Sequence, residues 1–153
     1  MEALALVVGL DGSDRSLAAL TATTRLATLT GSRIVAVHVV RNHSLVATAP
    51  VSSAGPIAIA DDEVTDRCHL DCELVLAGTD VPWQFEVRHG DPVIALAEAA
   101  ADHDAICVAI GGSVRRGACG SHRTMCERLV HRCGRPVLIV PLEPERAAPR
   151  EPI

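Results

Sequence analysis

Two short stretches, each at the end of an apolar run, hold the most suggestive residues. The first is Asp11-Gly12-Ser13, which ends the apolar run Leu4 to Leu10 (LALVVGL). A short carboxylate at a strand end can cap the helix that follows. The second is Gly111-Gly112-Ser113, which follows the apolar run Ala105 to Ile110 (AICVAI) and leads to Arg115, Arg116 and Arg123. Glycine lets backbone approach an anion closely, and guanidinium groups bind phosphate through paired hydrogen bonds. Cysteine chemistry is the third possibility. Cys68, His69 and Cys72 are metal-ligand types, yet Cys68 and Cys72 share the apolar stripe of Val64 and Val75 and read as core thiols. Cys126 and Cys133 read the same way beside Leu129 and Val130, and Cys107 lies inside a strand. Cys119 is the one candidate reactive thiolate, because nearby arginines lower a thiol pKa. His122 and Cys126 lack the second ligand pair of a zinc site. His38, inside an apolar strand, reads as a core histidine. No Ser-His-Asp order, nucleophile elbow or paired carboxylate stands out.

The elements that must position these residues alternate between two periodicities. Leu4 to Leu10, Arg33 to Val40 (RIVAVHVV), Ala105 to Ile110 and Pro136 to Val140 (PVLIV) are continuous apolar runs of strand length. Continuous apolarity predicts strands buried on both faces, as in a parallel sheet. Trp83 to Arg88 alternates and predicts a more exposed strand near an edge. Between the strands, Leu17, Leu20, Thr24 and Ala27 recur at helical spacing after a Ser13 N-cap, with Gly31 as the stop. Arg41 to Ala60 has no clean period and reads as a long loop, a lid or a disordered segment. Asp61-Asp62-Glu63 then opens a helix that Gly78 ends. Asp91 caps a third helix with Pro92 at its first position, and its buried side is Ile94, Ala97 and Ala101. Gly111 to His122 reads as a loop before the last helix.

This order, β-α-β-α-β-α-β-α-β, predicts one doubly wound α/β domain over 1–142 and a flexible tail over 143–153. In such sheets ligands bind beyond the strand ends where the strand order reverses. The loops after the first and fourth strands hold the most suggestive residues, so the crevice is expected between them.

Composition narrows the function. Apolar residues make up 48% of the 153 residues, and the aromatic ones are Trp83 and Phe85 alone. A chain so poor in stacking platforms, with net charge −5, is not expected to bind nucleic acid. All 14 basic residues are arginine, so Schiff-base and P-loop lysine chemistry are excluded. No run is long enough to span a membrane, and the acidic start does not read as a signal peptide. Six cysteines without such a signal suggest reduced thiols. The expected location is the cytoplasm.

Taken in order, Val7-Val8-Gly9-Leu10-Asp11-Gly12-Ser13, His38-Val39-Val40, Gly90-Asp91-Pro92, Ile110-Gly111-Gly112-Ser113 and Arg135-Pro136-Val137-Leu138-Ile139-Val140 form a pattern. It resembles the universal stress protein family over about residues 4 to 141. The resemblance implies a Rossmann-like five-stranded parallel sheet in order 3-2-1-4-5 and a stress-response regulatory role. It also implies a homodimer paired through the last strand, here Val137, Leu138, Ile139 and Val140. Many members bind ATP, with Mg as a possible companion. By position, Leu10 and Asp11 would meet the ribose or phosphate side, and Val39 would offer its backbone to adenine. Ile110 and Gly111 would begin the phosphate loop, which runs on through Val114, Arg115, Gly120, Ser121, Arg123 and Thr124.

The chain departs from the family pattern in that loop. The family reads Gly, two residues, Gly, nine residues, then Gly-Ser or Gly-Thr. Here the second glycine position holds Val114, and the Gly-Ser position counted back from Pro136 holds Arg123-Thr124. Gly120-Ser121 comes a few residues early, and the loop is one residue short. A β-branched residue beside phosphate disfavours a backbone cradle, while Arg115, Arg116 and Arg123 offer side-chain pairing instead. Three readings stay open: a regulatory module binding ATP or a related adenine nucleotide, a ligand-free dimerisation or docking module, and an enzyme such as a slow ATPase or a nucleotidyl-type α/β hydrolase. The expectation is that the protein is not an enzyme.

Overall fold

The structure, a computed structural model, describes residues 2–41, 51–112 and 124–142, with residues 51–60 described as backbone only. Five strands form one parallel sheet: β1 (Ala5–Leu10), β2 (Arg33–Val40), β3 (Trp83–His89), β4 (Ala105–Gly112) and β5 (Val137–Pro141). The order is β3-β2-β1-β4-β5, so the chain winds one way from β1 and then the other. Four helices connect them: α1 (Asp14–Thr30), α2 (Val51–Leu76), α3 (Pro92–Asp102) and α4 (Met125–Cys133).

Side-chain alternation along the strands divides the core into two layers. Leu6, Val8 and Leu10 of β1 and Ile34 and Ala36 of β2 pack with Leu20 of α1 and Cys68 and Cys72 of α2. Val7, Val35 and Val37 point the other way, onto Leu96 of α3 and Leu129 of α4. Both faces of the inner strands are therefore covered, which is why their sequences read as unbroken apolar runs. β3 is at an edge and more exposed than the inner strands, as expected, but its burial alternation breaks between Phe85 and Glu86, and Val87 is exposed. No described helix is long and apolar enough to cross a membrane.

Several local expectations are corrected. The loop predicted over Arg41 to Ala60 gives way at Val51 to α2, so Asp61-Asp62-Glu63 lie inside a helix and do not open it. Gly55 and Pro56 hid it. Pro56 stands in the second turn, where its missing N–H costs one intrahelical bond, and the helix continues past it. The α3 face is rotated from Ile94, Ala97 and Ala101 to Val93, Leu96, Ala99 and Ala100, leaving Ile94 39% exposed. Ile94 shares one helix line with Glu98 and Asp102 at i+4 and i+8, and those two charged residues turn that line to water. In so alanine-rich a segment, charge positions the helix better than apolar spacing does. Val130 is exposed for the same kind of reason, lying off the line that carries Leu129. Gly111 and Gly112 belong to β4, paired with Val140 and Pro141, where a loop was expected. Residues 113–123 and the tail 143–153 lie outside the described residues.

Candidate functional site

The crevice forms where β1 and β4 part. Their pairing ends at Val8↔Ala109, while β1 runs beside β2 to Leu10↔His38 and β4 runs beside β5 to Gly112↔Pro141. Between the two strand ends lies a cavity of about 180 Å³. Its floor is Val37, Val39, Leu96 and Ile110, and its rim is Asp11, Ser13, Arg15 and Arg41. Gly9 keeps the floor open. A Cβ there would come within 3.1 Å of the Leu96 side chain.

The Asp11 rim is built by local hydrogen bonds. Ser13 N–H donates to Asp11 Oδ1 at 2.9 Å, and the Ser13 hydroxyl donates to the same oxygen. Ser13 is also the N-cap of α1, its Oγ accepting from Ser16 N–H at 3.2 Å. Partial burial alone would raise the Asp11 carboxyl. The bonds from the Ser13 hydroxyl and N–H, and from Ser16, outweigh it and hold the group below the ordinary carboxylate value. Leu10 contributes main chain only, since its side chain packs in the α1–α2 layer. Its carbonyl accepts from His38 Nδ1–H at 2.8 Å, so the buried His38 is the satisfied core histidine expected.

Backbone direction in β2 gives Val39 its role. Arg33 N–H bonds β1 at the Leu4 carbonyl, Ile34 N–H bonds the β3 side at the Pro82 carbonyl, and the Val40 carbonyl accepts from Gly90. Odd residues therefore turn both backbone groups toward β1. Pairing with β1 stops at His38, one residue before Val39. The Val39 carbonyl thus faces the crevice beyond the last paired residue of β1.

The opposite wall is set by Gly111. A Cβ at this position would run into the Arg15 carbonyl and come within 2.8 Å of Arg15 Cβ. Glycine here lets the first turn of α1 lie directly on β4. That contact also brings Arg15 to the cavity, a residue the sequence reading missed. Its signal was available: a cation in the first turn of a helix opposes the helix dipole, so an arginine there invites an anionic neighbour.

A second, outer cavity of about 400 Å³ adjoins the first and shares Arg41, Pro92 and Met125 with it. Asp91, at its edge, N-caps α3 through Val93 and Ile94 N–H and accepts from Arg128 of α4 at 3.0 Å. The Arg128 hydrogen bond is the main reason its carboxyl sits below the ordinary value. Arg41 and Met125 were also absent from the sequence reading.

Of the residues singled out beforehand, Asp11, Val39, Ile110, Gly111 and the Leu10 backbone converge on the inner cavity. Thr124 N-caps α4, in a reciprocal box with Glu127, and is not among the residues lining the inner cavity. Val114, Arg115, Gly120, Ser121 and Arg123 lie outside the described residues, as do Cys119 and His122. Cys68 and Cys72 are buried core thiols whose pKa values burial pushes up to about 12. No cluster of three metal-ligating side chains occurs among the described residues.

Comparison with known proteins agrees with this geometry. The model of the universal stress protein family matches residues 5–141. A universal stress protein family structure from Burkholderia pseudomallei aligns at 23% identity and TM-score 0.65, covering 90% of this chain and 96% of its own. A universal stress protein in complex with cAMP aligns at 22% identity and TM-score 0.62, over 92% and 98% of the two chains. One from Archaeoglobus fulgidus, in complex with dAMP, aligns at 17% identity and TM-score 0.63, over 92% and 99%. A search of curated proteins finds no match.

Proposed function

The chain belongs to the universal stress protein family, and from that premise we propose that it is a non-catalytic, homodimeric regulatory module that binds an adenine nucleotide in the β1–β4 crevice. The observation that carries this reading is the Val39 carbonyl facing an apolar slot that the Asp11 carboxylate also lines. A purine fits between Val37, Leu96 and Ile110. The 6-amino group of adenine donates to the Val39 carbonyl, whereas the 6-oxo group of guanine sets acceptor against acceptor. Asp11 accepts from a ribose hydroxyl through the carboxylate oxygen that Ser13 leaves free. Arg15 and the Gly111 end of β4 lie on the phosphate side. When the ligand is ATP, with or without Mg, its further phosphates extend past the Gly111 end of β4. The complexes of related proteins with cAMP and dAMP support an adenine ligand.

Binding is preferred to catalysis because of the state of Asp11. Its carboxyl is held below the ordinary value by donors it already serves, so it is a weak base at neutral pH. The dimer contact is β5. It is an edge strand whose Val137, Leu138, Ile139 and Val140 are half-buried, and an apolar unpaired edge is a template for a second chain.

Calorimetric titration with adenosine monophosphate (AMP) tests the reading. Wild type should bind, guanosine monophosphate should bind at least about tenfold more weakly, and Asp11→Ala should lose roughly tenfold to a hundredfold in affinity. No heat and no thermal shift with any adenine nucleotide would overturn it, leaving the ligand-free docking module. Phosphate release from ATP that disappears in Asp11→Ala would instead make it an ATPase.

A further inference from the structure

The outer cavity, of about 400 Å³, adjoins the inner one and shares Arg41, Pro92 and Met125 with it. The outer cavity has its own chemistry. Pro92, Val93 and Met125 give it an apolar floor, and Arg41 and Arg128 give it two guanidinium groups carried by different elements. Arg128 is held in place by Asp91, whose acceptors are taken up by Val93 N–H, Ile94 N–H and Arg128 itself. Among the described residues that line this cavity, the one carboxylate is already engaged by protein donors, and two guanidinium groups stand against it. A thioether, a proline ring and guanidinium groups around one cavity suit a flat heteroaromatic ring, and the same guanidinium groups suit phosphate.

We propose that the outer cavity is a second ligand lobe, and that the molecule this protein is built to hold is a dinucleotide: one adenosine in the inner crevice, and a second phosphate-linked nucleoside on Pro92, Val93 and Met125 between Arg41 and Arg128. The inference rests on the adenine reading of the inner crevice and extends it. A mononucleotide fills one lobe. A dinucleotide fills both without paying twice for lost translation, so its second half adds affinity directly.

The test compares three ligands on the full chain by calorimetry: AMP, ADP, and diadenosine diphosphate, in which two adenosines are joined through two phosphates. ADP controls for the added phosphate. Diadenosine diphosphate should bind about tenfold or more tightly than both AMP and ADP. Arg128→Ala touches the outer lobe alone and should remove most of that gain while leaving the AMP affinity within about twofold of wild type. Equal binding of ADP and diadenosine diphosphate, or an undiminished gain in Arg128→Ala, would overturn the second lobe with the adenine reading intact. Failure of AMP itself to bind would overturn both.

Discussion

The two strands that open the crevice each bring a glycine to it, and the two glycines serve opposite purposes. Gly9 of β1 makes room. The atoms nearest an added Cβ there are the tips of Leu96 and Ile110, at 3.1–3.4 Å. Gly111 of β4 makes contact. The atoms nearest an added Cβ there are the backbone of Arg15 in the first turn of α1. Flexible side chains can give way by a few tenths of an ångström, whereas a helix turn moves only with the helix. The β1 wall is thus shaped for a ligand, while the β4 wall is shaped for the fold and delivers Arg15 to the site as a consequence. A glycine beside a ligand crevice does not by itself report contact with the ligand.

The largest expected effect breaks the β4 wall. Gly111→Ala should force α1 off β4 and cost about 3 kcal/mol, at the upper end of what overpacking does. For a chain of this length the midpoint of thermal unfolding should fall by roughly 10 °C. A fall of less than about 2 °C would show that α1 is not seated on β4 as described. The matching change in the β1 wall should separate stability from binding. In Gly9→Ala, relief of chain entropy offsets the crowding of Leu96, so stability should stay within about 1 kcal/mol of wild type. The new methyl group projects into a cavity of about 180 Å³, so AMP affinity should fall about tenfold. Unfolding curves and titrations of both variants together decide whether the two walls differ as argued. Equal losses of stability would remove the distinction.

The same contrast explains what the sequence could show. Continuous apolar runs, the Ser13 and Asp91 caps and the strand-ending Asp11 are local signals, each produced by a force acting within a few residues. They placed the sheet, the switch point and the β1 wall. The helix starting at Val51 was hidden because Gly55 and Pro56 disturb its pattern without stopping it. The α3 rotation was hidden because an alanine-rich helix has too little contrast between its faces. Arg15, Arg41 and Met125 come from three separate elements and meet at the crevice only after the sheet is wound. No spacing in the chain encodes that meeting. Gly111 was noticed for a reason that differs from its close contact with α1, since a glycine's neighbour across the core cannot be read from its neighbours along the chain.

The smallest effect sharpens the electrostatic side of the comparison. Asp11 gives the β1 wall a carboxylate whose folded-state pKa lies below its ordinary value. Its contribution to stability is therefore fully present above the ordinary carboxylate pKa, and is lost as pH falls through the lower folded value. Asp11→Asn keeps an oxygen acceptor for the Ser13 donors but removes the charge. Near neutral pH its unfolding midpoint should lie slightly below wild type, by less than the shift in Gly111→Ala, because the group is exposed and screened. Below the lowered folded value the two curves should converge, since wild-type Asp11 is then protonated as well. Midpoints measured from neutral pH down to the acid transition test this. A gap that stays constant with pH would mean that the side chain stabilises the wall by shape and hydrogen bonding alone, and that its charge is reserved for the ligand.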